Sequence, residues 1–327
     1  MKLMRYFIPA LTVLASSLPI TTQAEDFPIT IEHKFGTSVI PEKPERVASI
    51  DYGGIGNLLA VGVEPVTVRQ WRPGDGFDYT AGPWAEPYLN SQPLVLEGDL
   101  NFEAIAGTNP DIIIALYSGI DADDYEKLSL IAPVVPVPEG KGNYDLPWDE
   151  RARLAAYAVG EAASAEQQID VIHQRLADIA SAHPQWHDLT VVVGGFRDAN
   201  PWAYTRNDAR TAFLLSMGFK SPPALDELTD EHNFNIELSP EQVDVINADV
   251  LVHYGNSEKT LQALDHPAHP FLKASQSGGE IYLPNLVVAA LARISLLSIP
   301  SALDALEPML EAAADGDPET RVPDARY

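Results

Sequence analysis

Two short stretches carry a high density of arginine and aromatic side chains. They are Arg69-Gln70-Trp71-Arg72 and Phe196-Arg197-Asp198-Ala199-Asn200-Pro201-Trp202-Ala203-Tyr204-Thr205-Arg206, and they hold two of the chain's five tryptophans. A guanidinium presents a planar fork of N–H donors that pairs with oxygen anions and stacks on rings. Indole and phenol rings supply broad, rigid contact area. Together they suit a bulky, oxygen-rich, anionic small molecule. Tyr117 and Tyr254, each directly after an apolar run, join the candidate set. A single surface arginine would carry no such meaning. The clustering does, because the chain has 47 acidic against 21 basic residues and a net charge of −26. A surface this negative repels phosphate backbones and anionic lipid, so neither nucleic acid nor a membrane surface is an expected partner.

Other chemistry finds little support. There is no cysteine, hence no thiolate metal site, no thiol nucleophile and no lipidated N-terminal cysteine. The eight histidines are scattered, and His266 and His269 merely flank Pro267, so no protein metal site is expected. Gly194-Gly195 lacks the Lys-Ser/Thr of a phosphate loop, and no G-x-S-x-G elbow occurs.

The elements that must position the arginines follow an alternating plan. Residues 1–24 combine Lys2 and Arg5 with an apolar run and a small-residue end, the pattern of a cleavable signal peptide. The export target is the periplasm. The remaining chain is longer than one core usually serves. From residue 25 to 163, strand signals at 46–50, 65–68, 111–116 and 134–137 alternate with helical ones at 55–61, 101–107, 121–130 and 149–159. Such alternation implies α/β architecture with mainly parallel sheets. Residues 183–314 repeat the plan, with strands at 189–193, 249–253 and 280–283. Helical signals fall at 209–217, 240–246 and 286–313, and residues 315–327 read as a flexible tail.

Between these halves, Ser164–Ala182 reads as one helix. Ser164 and Gln167 have capping-box spacing. Ala165, Ile169, Ile172, Leu176 and Ile179 form one apolar stripe, and His183-Pro184 ends it. At 1.5 Å per residue it spans about 28 Å, enough to join two lobes. The halves also echo one another. Glu103-x-Ile105 with Asn109-Pro110-Asp111 before Ile112-Ile113-Ile114 parallels Glu241-x-Val243 with Asn247-Ala248-Asp249 before Val250-Leu251-Val252. Leu58–Val63 parallels Leu214–Phe219 more weakly. In open α/β sheets ligands bind beyond the carboxyl ends of the strands, and two such lobes face each other across a cleft. The arginine- and aromatic-rich stretches are expected there, as loops.

These segments also resemble a known family. Pro44-Glu45-Arg46-Val47-Ala48-Ser49-Ile50, Leu58-Leu59-Ala60-Val61-Gly62-Val63-Glu64-Pro65-Val66 and Asn101–Ile105 with Asn109–Ile113 are similar to the helical-backbone class of ABC-transporter substrate-binding proteins. Ala115–Ile120, Asp124–Ser129 and Ile131-Ala132-Pro133 are similar to its iron–siderophore branch. The resemblance covers roughly residues 30–310. It implies a monomeric periplasmic protein, not an enzyme, that captures a ferric siderophore between its lobes and delivers it to an inner-membrane ABC permease. It also implies little lobe closure, no cofactor beyond the chelated iron, and docking of Glu103 and Glu241 on permease arginines. The expected ligand set is Arg69, Trp71, Arg72, Tyr117, Arg197, Trp202, Tyr204, Arg206 and Tyr254. Two alternatives stand beside it. One is a haem or corrinoid binder of the same fold, with a histidine or tyrosine as axial ligand. The other is a periplasmic hydrolase using Glu103 and Glu241 as an acid–base pair.

Overall fold

The computed structural model describes residues 26–53, 55–70, 77–198, 200–231 and 233–326. The signal-peptide segment lies outside them, as do Trp71 and Arg72. An N-terminal hairpin, β1 (Ile29–His33) and β2 (Gly36–Ile40), precedes two α/β lobes. The first lobe runs β3 (Val47–Ser49), α1 (Ile55–Ala60), β4 (Thr67–Gln70), β5 (Leu94–Glu97), α2 (Phe102–Gly107), β6 (Ile112–Ala115), α3 (Ala122–Ser129), β7 (Val134–Pro136) and α4 (Trp148–Ala158). Helix α5 (Ala162–Ala182) leads to the second lobe. That lobe runs β8 (Val191–Arg197), β9 (Asn200–Tyr204), α6 (Ala209–Ser216), α7 (Pro223–Glu227), β10 (Asn235–Glu237) and β11 (Val250–His253). It continues with α8 (Ser257–Thr260), α9 (Lys273–Ser277), β12 (Glu280–Tyr282), α10 (Asn285–Arg293) and α11 (Ser298–Ala313).

Both sheets have five strands in the same spatial order. The first is β5-β4-β3-β6-β7, the second β10-β9-β8-β11-β12. All neighbours in the first are parallel. In the second, β8, β11 and β12 are parallel, but β9 turns back antiparallel to β8 and β10 is antiparallel to β9. The strand ends of the halves are tied alike. The Asp111 carboxylate accepts from the backbone N–H of Glu45 (2.7 Å) and Arg46 (3.0 Å). Asp249 accepts from the Thr190 N–H (2.9 Å) and hydroxyl (2.6 Å). The sequence echo is therefore a shared way of starting the central strands.

Helix α5 buries the expected stripe, Ala165, Ile169, Ile172, Leu176 and Ile179. It packs on α4 of the first lobe and on α6 and α11 of the second. These residues belong to one apolar core continuous through both lobes, from Val47, Ile112 and Ala155 to Val191, Phe213 and Leu303. The opposite faces of the sheets carry separate cores, one per lobe. The start of α5 corrects the sequence reading. Its N-cap is Glu161, with no side-chain bond, and the Ser164–Gln167 capping box does not form because Ser164 already lies inside the first turn.

A second tie joins the lobes. Helix α10 ends in left-handed Ile294 (φ 35°), and the segment from Arg293 to Ser298 seats against α1. Asn57 Oδ1 accepts from the Leu296 N–H (2.9 Å). A side chain at Gly53 would meet the Arg293 carbonyl oxygen at 2.6 Å, so only glycine permits this approach.

Two further expectations are corrected. The stretch expected as a loop, residues 200–206, is largely the strand β9. The expected flexible tail is docked on β12. Asp324 accepts from the Tyr282 N–H (2.8 Å), the Ala325 N–H donates to the Tyr282 carbonyl (2.8 Å), and the Arg326 guanidinium lies over the Tyr282 ring (5.0 Å).

Candidate functional site

The cleft wall of the first lobe grows from the carboxyl ends of β3, β4 and β6. Asp51, just past β3, accepts from the Tyr117 N–H, just past β6, at 2.7 Å. Burial pushes the Asp51 carboxyl up to about 6, against the lowering effects of that bond and of Arg151 nearby. Arg69, near the end of β4, donates to the carbonyls of Ser118 (3.0 Å) and Gly98 (3.2 Å) and lies over the Tyr52 ring (4.4 Å). Arg151, on α4, lies over the Tyr117 ring (4.7 Å) and donates to the carbonyls of Arg293 (3.0 Å) and Ile294. Tyr144 meets Tyr117 edge to face at 5.0 Å. Among the described residues both guanidiniums bond only to backbone carbonyls, and each buried Nε has no partner. Among the described residues neither guanidinium forms an ion pair with a carboxylate, although the Asp51 charge acts on Arg151.

The facing wall is built differently. Strands β8 and β9 extend as a hairpin, with Trp202 and Tyr204 on one face and stacked edge to face at 5.0 Å. Arg197 covers Trp202 at 3.9 Å and pairs with Glu237. Tyr254 follows β11 and meets Tyr204 at 5.5 Å. Into this group reaches Arg210, from the first turn of α6. It forks onto Asp208 at 2.8 and 2.7 Å, donates to the Tyr254 hydroxyl at 3.2 Å and lies over the Tyr204 ring at 4.2 Å. Burial opposes its charge, but Tyr254 and Asp208 more than offset that and raise its pKa. The walls lie close enough that the charges of Arg210 and Asp208 act on the Tyr117 phenol. Burial raises the Tyr117 and Tyr204 phenols, so both are neutral in the metal-free protein.

Arg69, Tyr117, Tyr204, Tyr254 and, through its stacking, Trp202 are therefore brought together. Arg197 sits at the hairpin rim, exposed and already paired. Arg206 does not join them: it is exposed and bound to Asp226 of α7 at 3.1 Å. Sequence reasoning missed Arg151 and Arg210, because it searched only the segments following strands. A signal was available for Arg151, which shares the apolar, alanine-rich side of α4 with Ala152, Ala155 and Ala156. An arginine in such a stripe calls for a buried partner. Glu103 and Glu241 are exposed in the first turns of α2 and of the 3-10 helix Pro240–Ile246. Each helix follows a strand that ends at the cleft edge of its own sheet.

Two like α/β lobes on a shared core, with arginines and aromatic rings converging from both sides of a cleft, define a two-lobed solute-binding protein. The chain belongs to the periplasmic binding protein family, which it matches over residues 47–277. It is 25% identical over 272 residues to the ferric enterobactin-binding periplasmic protein FepB of Escherichia coli, covering 78% of this chain and 83% of FepB. Among solved structures it resembles a periplasmic solute binding protein from Mycobacterium smegmatis (TM-score 0.77, 30% identity, 88% of this chain and 98% of that one). It also resembles PiaA of Streptococcus pneumoniae in complex with ferrichrome (TM-score 0.75, 29% identity, 88% and 99%). No helix among the described residues is long and apolar enough to cross a membrane.

Proposed function

We propose that this protein captures an anionic ferric siderophore between its lobes and hands it to an ABC permease, without chemical turnover. The observation that carries this reading is the pair of buried guanidiniums, Arg69 and Arg151, whose hydrogen bonds go to neutral carbonyls in an otherwise acidic chain. An oxygen-rich anion would complete both forks, while Tyr52, Tyr117, Tyr204 and Tyr254 pack against its rings or linkers. Arg210 and Trp202 close the opposite side. Trp71 and Arg72 remain candidates through their place directly after β4. Iron arrives wrapped in its chelator, so the cleft need supply no ligand to the iron and capture needs no cofactor. FepB is named for binding ferric enterobactin, and PiaA was solved in complex with ferrichrome, which supports a siderophore ligand without fixing its charge.

Haem is the weaker reading. Beside the cleft, His253 at the end of β11 turns its Nε2 to buried Glu280 at 2.9 Å instead of to a ligand. Hydrolysis is weaker still, because Glu103 and Glu241 stand exposed on separate helix starts. Those positions suit permease contacts, one per lobe.

The test is a fluorescence titration of the purified protein with ferric catecholate, hydroxycarboxylate and hydroxamate chelates, and with haem. Saturable tryptophan quenching by an anionic ferric chelate, with the chelate recovered intact, is expected. A Soret shift with haem, and no response to any chelate, overturns the proposal. Glu103→Ala with Glu241→Ala should leave chelate affinity unchanged and abolish permease-dependent uptake.

A further inference from the structure

A second cluster of ligand-type side chains lies outside the cleft, where the carboxyl end of α5 meets α11. His183, Glu307 and Glu311 place an imidazole nitrogen and two carboxylate oxygens within 4.8 Å of one another. Glu307 and Glu311 are one turn apart on α11 and share a face. His183 is the C-cap of α5, and its ring is clamped flat on Trp186 at 4.0 Å, with 9° between planes. Trp186 is itself buried and stacked on Phe219. The imidazole therefore cannot swing away, and its Nε2 faces Glu311 Oε1 at 3.3 Å.

That separation is informative. It exceeds the roughly 2.8 Å of a strong charge-assisted hydrogen bond. It matches one ligand-to-ligand edge, about 3.3 Å, of a tetrahedral zinc site with bonds of about 2.0 Å; the other separations, within 4.8 Å, would close on metal binding. The neighbouring cation, Arg175, holds Asp304 at 2.7 Å and pairs more loosely with Glu307 at 3.6 Å, so a metal ion would have to displace only that longer contact. The partial negative charge at the carboxyl end of the 21-residue α5 adds to the attraction for a cation. One imidazole with two carboxylates is a borderline donor set that prefers Zn2+ to Ca2+ or Mg2+.

We propose that His183, Glu307 and Glu311 bind one divalent transition-metal ion, best Zn2+, with water at the fourth position. The ion staples the interlobe helix to α11 of the second lobe. Because α5 packs on both lobes, fixing its far end stiffens the frame that sets the cleft. This site is independent of the cleft ligand and involves none of its residues.

The experiment is calorimetric titration of the EDTA-stripped full protein with zinc chloride, with Co2+ as a spectroscopic probe and thermal unfolding as a second readout. One equivalent of Zn2+ per chain is expected, with a rise of a few degrees in Tm that Ca2+ and Mg2+ do not reproduce. Co2+ should give visible d–d bands. His183→Ala should weaken Zn2+ binding at least 100-fold. Glu307→Gln with Glu311→Gln, which keeps side-chain size at exposed Glu311 and half-buried Glu307, should weaken it at least tenfold and remove the Co2+ bands. Glu258→Gln, remote and exposed, should change nothing. No saturable Zn2+ binding by the wild type overturns the proposal, as does binding equal in wild type and the double glutamine variant.

Discussion

The two lobes share a strand order and a way of anchoring their central strands, yet they diverge at the second strand. In the first lobe, β3 crosses over through α1 to parallel β4. In the second, β8 turns straight back into antiparallel β9, and the crossover survives only as a remnant. Helix α6 ends at Ser216, Gly218 follows with a positive φ, and Lys220 then makes a single parallel bridge to Thr190, where β4 pairs with β3 in the other half. The hairpin changes what each lobe brings to the cleft. On the first side, charged strand and helix residues are held by carbonyls alone. On the second, the hairpin brings a wall of rings, and the guanidinium buried among them, Arg210, carries its own carboxylate. One lobe supplies charge; the other supplies a neutral aromatic face.

The largest effect that can break this contrast is on stability. Arg210→Met strands the buried Asp208 carboxylate and should cost about 3–5 kcal/mol in denaturant unfolding. Adding Asp208→Asn should return much of that loss. If the double variant is no more stable than Arg210→Met alone, the pair is not the self-neutralised unit described here.

A second test uses one buried carboxylate from each lobe, Asp51 and Glu280, which are shifted in opposite directions. Burial raises the Asp51 carboxyl to about 6, so its ionised form is disfavoured in the fold. The destabilisation sets in as pH rises from 4 through 6 and reaches on the order of 3 kcal/mol above it. For Glu280, burial acts upward too, but hydrogen bonds from His253 and His269 outweigh it and bring the carboxyl to about 2. Its stabilisation is present above the unfolded value near 4.5 and is lost as pH falls towards 2. His269, raised by its bond to Glu280, adds a part that is full below pH 6.5 and fades as pH rises through its shifted value. Asp51→Asn should therefore raise Tm at pH 7.5 and leave it unchanged at pH 4. Glu280→Gln should lower Tm most near pH 5–6 and least near pH 2. Equal responses of the two variants to pH would contradict the asymmetry.

Much of this was legible from residues. Parallel buried strands read as apolar runs such as Ile112-Ile113-Ile114, and the stripe from Ala165 to Ile179 defined α5 almost to its ends. The Asp111 and Asp249 echo foretold matched lobes. Strand β9 was not legible, because Asn200-Pro201-Trp202-Ala203-Tyr204 contains a proline and follows a tight turn, which read as a loop. Arg151 and Arg210 stand on helices, where an arginine by itself signals a solvated face. Only the tertiary neighbours, Tyr117 for one and Asp208 with Tyr254 for the other, reveal them as buried. The last residues read as polar tail because their partner, Tyr282, is a strand-edge backbone that no local pattern announces.

Smaller, and aimed at binding, is the loss of one carbonyl-held fork. Arg69→Met should weaken capture of an anionic ferric chelate 10- to 100-fold, about 1.5–3 kcal/mol, with tryptophan quenching as readout. Arg197→Met, at the rim and already paired with Glu237, should cost less than threefold. A rim variant more damaging than Arg69→Met would reverse the assignment of charge to the first lobe.

The finest test joins the pH argument to the cleft. Asp51 stands in the first lobe's wall, where its charge acts on Arg151. As pH falls through about 6 it becomes neutral, and the wall then presents Arg69 and Arg151 to the ligand with less opposing charge. For a chelate whose own charge is constant between pH 7.5 and 5.5, affinity should rise severalfold over that interval. Asp51→Asn retains the acceptor for the Tyr117 N–H and removes the titrating charge. It should therefore bind with the wild type's low-pH affinity throughout, giving a flat profile. If wild type and variant show the same slope, the pH dependence belongs to the chelate and the Asp51 charge does not reach the ligand.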